Sequence, residues 1–175
     1  MAIQPVHTES VYQGRFVELV VHTLRTRSGK EYKKEVLQHP GAVIILPVAP
    51  DGRIVFIRNQ RVSVHEELLE LPAGTLERGE DPALCAGREL IEETGYHAGK
   101  IESLGWFYTS PGILSEKMYV FVATDIVAGA QELEDYEEIK VELFTRPEIE
   151  RMLLDNTIRD AKTIATLHKY WLKGR

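Results

Sequence analysis

The segment that most limits what this chain can become lies near its middle, where an extended apolar pattern gives way to one well-delimited helix. Asp81 is placed to accept from the first free amides of a helix, Pro82 has the fixed φ of a first helical position, and Gly95 can end the helix in a left-handed conformation. Between them Ala83, Ala86 and Leu90 recur at helical spacing, with Leu84, Gly87 and Ile91 beside them. That spacing predicts an apolar stripe packed on a sheet, with an acidic face opposite. The acidic face carries Glu89, Glu92 and Glu93, whose separations of three and four residues make them neighbours on one surface. Such a helix needs strands to lie on.

The flanking sequence supplies them. Residues 15–26 and 32–37, divided by Ser28-Gly29-Lys30, read as an N-terminal antiparallel hairpin. Residues 42–48 and 53–58, joined across Pro50-Asp51-Gly52, read as a second hairpin whose apolar runs suggest a sheet covered on both faces. After the helix, residues 106–108, 117–124 and 139–144 read as strands, with an acidic loop over 131–138 before the last. Residues 147–154 and 158–172 read as closing helices, the second with Ile158, Ala161, Ile164, Leu167 and Trp171 on one face. This mixed order implies an α/β domain with helices packed over a mixed sheet. Without repeats or a Pro/Ser-rich linker, the chain is expected to fold as one unit: an N-terminal hairpin region over 1–40 and a main domain over 41–175.

Composition bounds the chemistry. A chain of 175 residues, 43% hydrophobic and 27% charged, is a soluble globular pattern. At that length roughly 70% of the unfolded surface can be buried without a staple. The single cysteine, Cys85, excludes an intramolecular disulfide and a zinc site of several thiolates, and it suits a reducing, cytoplasmic location. Residues 1–10 lack the basic start and apolar run of a secretory signal, and no run approaches the roughly 20 apolar residues that span a bilayer, so no membrane association is expected. With 21 basic against 27 acidic side chains, the net charge is -6, which disfavours nucleic acid as a partner. An anionic substrate would need help from bound cations.

Three clustered carboxylates repel one another by a few tenths of a kcal/mol per pair, and no lysine is interleaved to offset them. A divalent cation would remove that cost. Oxygen donors without His or Cys at ligand spacing select Mg2+ or Mn2+ over zinc, and magnesium keeps waters or takes substrate phosphates, which points to phosphate-ester or pyrophosphate chemistry. Three glutamates alone, however, are more often the solvated face of an amphipathic helix. The wider spacing separates the two: Gly74, five residues, Glu80, seven residues, Arg88-Glu89-Leu90, one residue, Glu92-Glu93, one residue, Gly95-Tyr96. This resembles, at every position, the signature of the Nudix hydrolases. Counting only its glycine, glutamate and arginine positions, seven fixed residues at roughly one in fifteen each match by chance in a chain this long with odds of roughly one in a million.

The resemblance implies a Nudix fold, an α/β/α sandwich with a mixed β-sheet, plus the N-terminal hairpin. It implies a metal site made by Glu89 and Glu93 with help from Glu92 and from the backbone carbonyl of Ala73, holding about two or three Mg2+ ions, with Mn2+ as a substitute. Gly74 and Gly95 permit the loop and the helix stop. Arg88, always charged, can hold Glu80 or a neighbouring glutamate through a forked hydrogen-bond pair, and with Glu93 belongs to the expected catalytic set.

Beyond the signature, the run from Glu35 to Val43, the segment Asn59-Gln60-Arg61, and Glu70-Leu71-Pro72-Ala73-Gly74 resemble the ADP-ribose pyrophosphatase branch. Pro111, fifteen residues after Tyr96 within Ser110-Pro111-Gly112 and followed by Glu116, resembles that branch most closely. Taken by themselves, these three residues are an ordinary turn. The branch implies a catalytic base from the loop Asp135-Tyr136-Glu137-Glu138, with Glu137 the first choice and Glu138 the second. It further implies that Arg61 contacts the phosphates or terminal ribose, that Glu116 bonds a ribose, and that the N-terminal hairpin covers adenine. Phe16 is the aromatic candidate for stacking, although a lone aromatic in a strand is more often core. Arg15 and Arg27 are equally read as surface charges. Members of the branch are usually homodimers that exchange N-terminal strands.

The expected reaction is hydrolysis of ADP-ribose to AMP and ribose 5-phosphate. The alternatives are the same chemistry on a GDP- or UDP-hexose, and a non-catalytic nucleotide-binding regulator, which would be expected to lack one of Glu80, Glu89, Glu92 and Glu93. Cys85, without a base beside it, reads as a small semi-buried side chain, and His65 as surface or substrate-adjacent.

Overall fold

The structure, a computed structural model, describes residues 4–133 and 138–174. In chain order its strands are β1 (His7–Gln13), β2 (Glu18–Arg25), β3 (Glu31–Gln38), β4 (Ala42–Pro47), β5 (Ile54–Arg61), β6 (Glu66–Glu70) and β7 (Ala73–Thr75). Helix α1 (Pro82–Thr94) follows, then β8 (Tyr96–Tyr108), β9 (Lys117–Ala128), β10 (Ile139–Phe144), α2 (Arg146–Leu154) and α3 (Ala161–Leu172).

The apolar run after Gly41 becomes the centre of the molecule. Every residue of β4 is buried. Its pleat sends Ala42, Ile44 and Leu46 to one face and Val43 and Ile45 to the other. β4 runs parallel to β9 and antiparallel to β7, giving a mixed sheet ordered β7-β4-β9-β8. On one face α1 contributes Cys85, Ala86 and Leu90 to the core; on the other, Ile149 of α2 and Leu167 of α3 pack with Ile44 and Leu46. The α/β/α sandwich expected from the sequence is therefore present. No helix among the described residues is long and apolar enough to cross a membrane.

Several local expectations change. β4 and β5 do not form a hairpin: they share one bridge, Val48 with Ile54, and then diverge, β5 joining a second antiparallel sheet ordered β10-β5-β6. The turn at Pro50-Asp51-Gly52 thus passes the chain between two sheets. β2 and β3 do pair as an N-terminal hairpin, but β1 adds a third strand to it, ordered β1-β2-β3. All residues of β1 are exposed, so it lacks the one-sided apolar pattern that betrays a strand. β8 starts immediately after Gly95 instead of near Trp106; its Gly- and charge-containing first half, and a register shift between Ser103 and Gly105, disguise it. The N-terminal sheet is tied to the domain by Leu37, whose N–H donates to the Ile113 carbonyl at 2.8 Å and whose carbonyl accepts from Ser115 N–H at 2.9 Å.

α1 keeps its predicted ends. Asp81 Oδ1 accepts from the amides of Ala83 (2.8 Å) and Leu84 (3.3 Å), and Gly95 has φ 73°. The buried set is Cys85, Ala86, Leu90, Glu93 and Thr94, whereas Ala83 is exposed and Leu84 is 72% exposed. The stripe is therefore rotated from the predicted one, and the acidic face borders the sheet instead of opposing it. In α3 the face is likewise shifted: Thr163, Thr166 and Leu167 are buried while Ile164 is 40% exposed. Leu90→Ala is expected to lower unfolding free energy by about 2–5 kcal/mol, and Leu84→Ala to stay within about 0.5 kcal/mol of wild type, in urea titrations followed by circular dichroism.

Candidate active site

The acidic side of α1 is pressed against the short strand β7, which β4 holds in place through the pairs Ile44 with Ala73 and Val43 with Gly74. The Ala73 N–H donates to Glu93 Oε2 at 2.8 Å, and Glu93 is only 4% exposed. A Cβ at Gly74 would lie 1.8 Å from the carboxyl carbon of Glu89. Glycine is required here by close approach. Gly95 carries two demands: its positive φ, and a Cβ that would lie 2.7 Å from the Gly129 carbonyl. Gly129 N–H donates back to the Gly95 carbonyl at 2.7 Å, so the end of α1 and the start of the acidic loop meet backbone to backbone. Gln131 Nε2 then donates to the Glu93 carbonyl at 2.6 Å, and Glu132 N–H to the Glu92 carbonyl at 3.1 Å.

Arg88 is the hub of the cluster. Its Nε and Nη2 donate to the two Glu80 oxygens at 3.1 and 3.2 Å, the forked pair expected from the sequence. Its Nη1 lies 2.8 Å from both Glu89 Oε1 and Glu92 Oε2. The Glu80 contact, more than its partial burial opposes, raises the guanidinium pKa, and Arg88 in turn holds the Glu80 carboxyl below its ordinary value. The repulsion among the glutamates is thus offset within the helix. Cys85 packs beneath, 3.3 Å from Arg88 Nη2, and burial pushes its thiol up to about 12. It is a protonated core group and no nucleophile.

Glu89, Glu92, Glu93, Arg88, Ala73 and Gly74 all border one cleft of about 260 Å³. Among the described residues no three acidic, imidazole or thiol side chains are grouped so as to hold a metal ion by themselves. The donor set is nonetheless all hard oxygen, compatible with a magnesium-like cation that keeps waters or takes ligand phosphates. The residues fit such an ion.

The other expected residues divide. Arg61 borders the cleft and also the neighbouring one, about 230 Å³, that contains Glu116. Glu116 is held by the Thr109 hydroxyl at 2.6 Å and faces His39 Nε2 at 3.6 Å. Gly41 N–H donates to His39 Nδ1 at 3.1 Å, which leaves Nε2 as the nitrogen that carries a proton toward Glu116; burial, outweighing Glu116, lowers the imidazole pKa. Phe16, 47% exposed, borders the cleft with the Arg15 guanidinium 4.6 Å over its ring, so it is not core. Pro111 lies away from these two clefts, in the turn closed by Ile113 and Leu114 amides on the Ser110 carbonyl. Glu137 lies outside the described residues; Glu138 is exposed and does not border the cleft, whereas Glu132 of the same loop does. His65 is exposed in a turn at φ 56°.

Sequence reasoning missed Lys162 and Glu70. Lys162 projects from α3 into the Glu116 cleft, and Glu70 joins it to Arg61. Glu70 opens a segment that resembles the branch, but nothing local joins it to Lys162; that signal is a pairing across 92 residues.

The model of the NUDIX domain matches residues 37–167. The chain belongs to the Nudix family. It is 35% identical to an ADP-ribose pyrophosphatase of Bacillus subtilis (strain 168), an alignment covering 94% of this chain and 90% of the relative. It is 31% identical to a GDP-mannose pyrophosphatase of Cronobacter sakazakii (strain ATCC BAA-894), over 89% of this chain and 87% of that one. A crystal structure of an ADP compounds hydrolase superposes with a TM-score of 0.85 at 24% identity, covering 99% of this chain and 96% of the other, which shows the same fold. Nudix hydrolases generally need divalent metal ions.

Gly74→Ala is expected to leave a cooperative unfolding transition but to weaken Mn2+ binding by about 10–100-fold in electron paramagnetic resonance titrations, because Glu89 is displaced. The folded protein is expected to resist thiol reagents at pH 8 and to react fully once denatured, since a thiol raised to about 12 stays protonated far above that pH; rapid labelling of the native chain would contradict the buried placement of Cys85.

Proposed function

We propose that this Nudix protein hydrolyses the diphosphate bond of ADP-ribose, giving AMP and ribose 5-phosphate. The observation that carries this reading is the meeting, around one cleft, of the Glu89-Glu92-Glu93 cluster, the Ala73 backbone, the Arg61 guanidinium and the Phe16 ring. A diphosphate joining two sugars needs those parts: hard-cation ligands, a guanidinium, and an apolar surface for a base. The likeness to the Bacillus subtilis ADP-ribose pyrophosphatase supports the choice of substrate.

Glu89, Glu93 and Glu92 with the Ala73 carbonyl would hold Mg2+, or Mn2+ in its place, as about two or three ions. When bound, such ions supply charge neutralisation for the diphosphate and for the oxygen that leaves as the anhydride opens. Arg88 keeps Glu80, Glu89 and Glu92 oriented. Arg61 hydrogen-bonds the phosphates, and Glu116, preset by Thr109, accepts from a ribose hydroxyl. A carboxylate of the loop after β9 takes the attacking water's proton; Glu137 is the first candidate and Glu138 the second, with Glu132 added by its place at the cleft. Phe16 stacks on the base. β1, exposed along its length, is the segment that a homodimer would cover, with exchange of N-terminal strands. A cytoplasmic location accords with a lone reduced cysteine.

A second reading, hydrolysis of another nucleotide sugar such as a GDP- or UDP-hexose, is favoured by the likeness to the GDP-mannose pyrophosphatase. Flanking residues, more than the signature, set that choice. A regulator without turnover is disfavoured because Glu80, Glu89, Glu92 and Glu93 are all present.

Incubation with ADP-ribose and Mg2+ in ¹⁸O-labelled water is expected to yield AMP and ribose 5-phosphate with label in one of them, detected by mass spectrometry. Release from GDP-mannose but not ADP-ribose would select the second reading. Glu93→Gln is expected to fold and to lose turnover by orders of magnitude; undiminished kcat would remove Glu93 from the mechanism.

A further inference from the structure

Glu70 ends β6 with no exposed surface, an expensive place for a carboxylate. It is paid for by two cations, one from the neighbouring strand nine residues away and one from a helix 92 residues on. Arg61 of β5 donates through Nε (2.8 Å) and Nη2 (2.7 Å) to its two oxygens, and Lys162 of α3 bonds Oε2. Asp160, the N-cap of α3, accepts from Lys162 Nζ at 2.9 Å through Oδ1 and from Thr163 N–H at 2.9 Å through Oδ2. The Thr163 hydroxyl in turn accepts from the Leu71 N–H at 2.9 Å, locking α3 to the residue after Glu70.

The charges of this network cancel: Arg61 and Lys162 against Glu70 and Asp160. It therefore offers a ligand directed donors more than net positive charge. A guanidinium has five N–H bonds and an ammonium three. Glu70 takes two of the Arg61 N–H bonds, and Glu70 with Asp160 two of the Lys162 ones, so this network does not exhaust the donors of either side chain. Arg61 borders both clefts, and Lys162 borders the one containing Glu116. Arg61 also feels the charge of Glu93. A long, flexible arginine without a fixed partner would be drawn onto the glutamates of α1 and would compete with cations for them. A buried ion pair is weak support for stability compared with apolar residues of the same volume, so this arrangement is better understood through what it orients.

We propose that Glu70 is a positioning residue that holds Arg61 and Lys162 as a fixed donor pair for the phosphate and sugar of the substrate, and keeps Arg61 off the metal-gathering glutamates. The role in substrate binding rests on the function proposed above; the positioning itself does not.

The test compares wild type, Glu70→Gln, Glu70→Asp, Lys162→Met and the charge-balanced double variant Glu70→Gln/Lys162→Met. Three readouts are taken: calorimetric binding of ADP-ribose in EDTA, kcat and KM with Mg2+, and the ¹⁵N NMR signal of the Arg61 Nε–H. Glu70→Gln is expected to weaken metal-free binding and raise KM by about tenfold or more while kcat changes by less than about threefold, and to lose the slowly exchanging Nε–H signal. Glu70→Asp should recover part of the affinity. A folded Glu70→Gln that binds as wild type does, or that loses kcat in place of affinity, overturns the proposal. Should Glu70→Gln fail to fold, the double variant decides: weaker binding than Lys162→Met supports the proposal, and equal binding overturns it. A wild type that neither binds nor cleaves ADP-ribose overturns the proposed function, and the Arg61 signal alone then decides the positioning.

Discussion

The site depends on one guanidinium. Glu89, Glu92 and Glu93 would repel one another on a free helix, since like charges three and four residues apart are destabilising, and Glu80 adds a fourth charge just before its start. From within that helix Arg88 reaches Glu80, Glu89 and Glu92, and its charge cannot be titrated away. Because the anchor is planar and forked, it sets directions as well as balancing charge. Glu93 accepts from a backbone amide of β7. The cluster is thereby ordered by contacts within the protein.

That order reaches the cleft because the sheet beneath is rigid. β4 is buried on both faces, so its two sides belong to two cores, and a shift of one residue would exchange them. β7 takes its place from β4, and Glu89 takes its place from the bare backbone of Gly74. A chain of contacts runs from central packing to carboxylate without passing through a flexible loop.

What the sequence made legible was local. The ends of α1 follow from Asp81, Pro82 and Gly95, and the spacing from Gly74 to Tyr96 points to the cleft that the fold forms. What it hid was relational. The strands flanking Pro50-Asp51-Gly52 have the apolar runs of a hairpin, and only their partners, β9 for one and β10 for the other, separate them. Leu84 and Ile164 look like core from spacing, yet the helices turn them outward because Glu93 and Thr163 are satisfied inside. The segment opening at Glu70 is recognisable, but its pairing with Lys162 is not: an acidic residue at a strand end and a basic one at a helix start are ordinary until tertiary structure brings them together.

The backbone junction between Gly95 and Gly129 has a mechanical meaning. Two glycines in contact weld the exit of the acidic helix to the root of the following loop, with Gln131 and Glu132 as rivets on the last turn. The loop is thus registered to the carboxylates at its base, whatever its outer residues do. The root of that span is set by the helix, so a substitution beyond Glu132 leaves this anchorage in place.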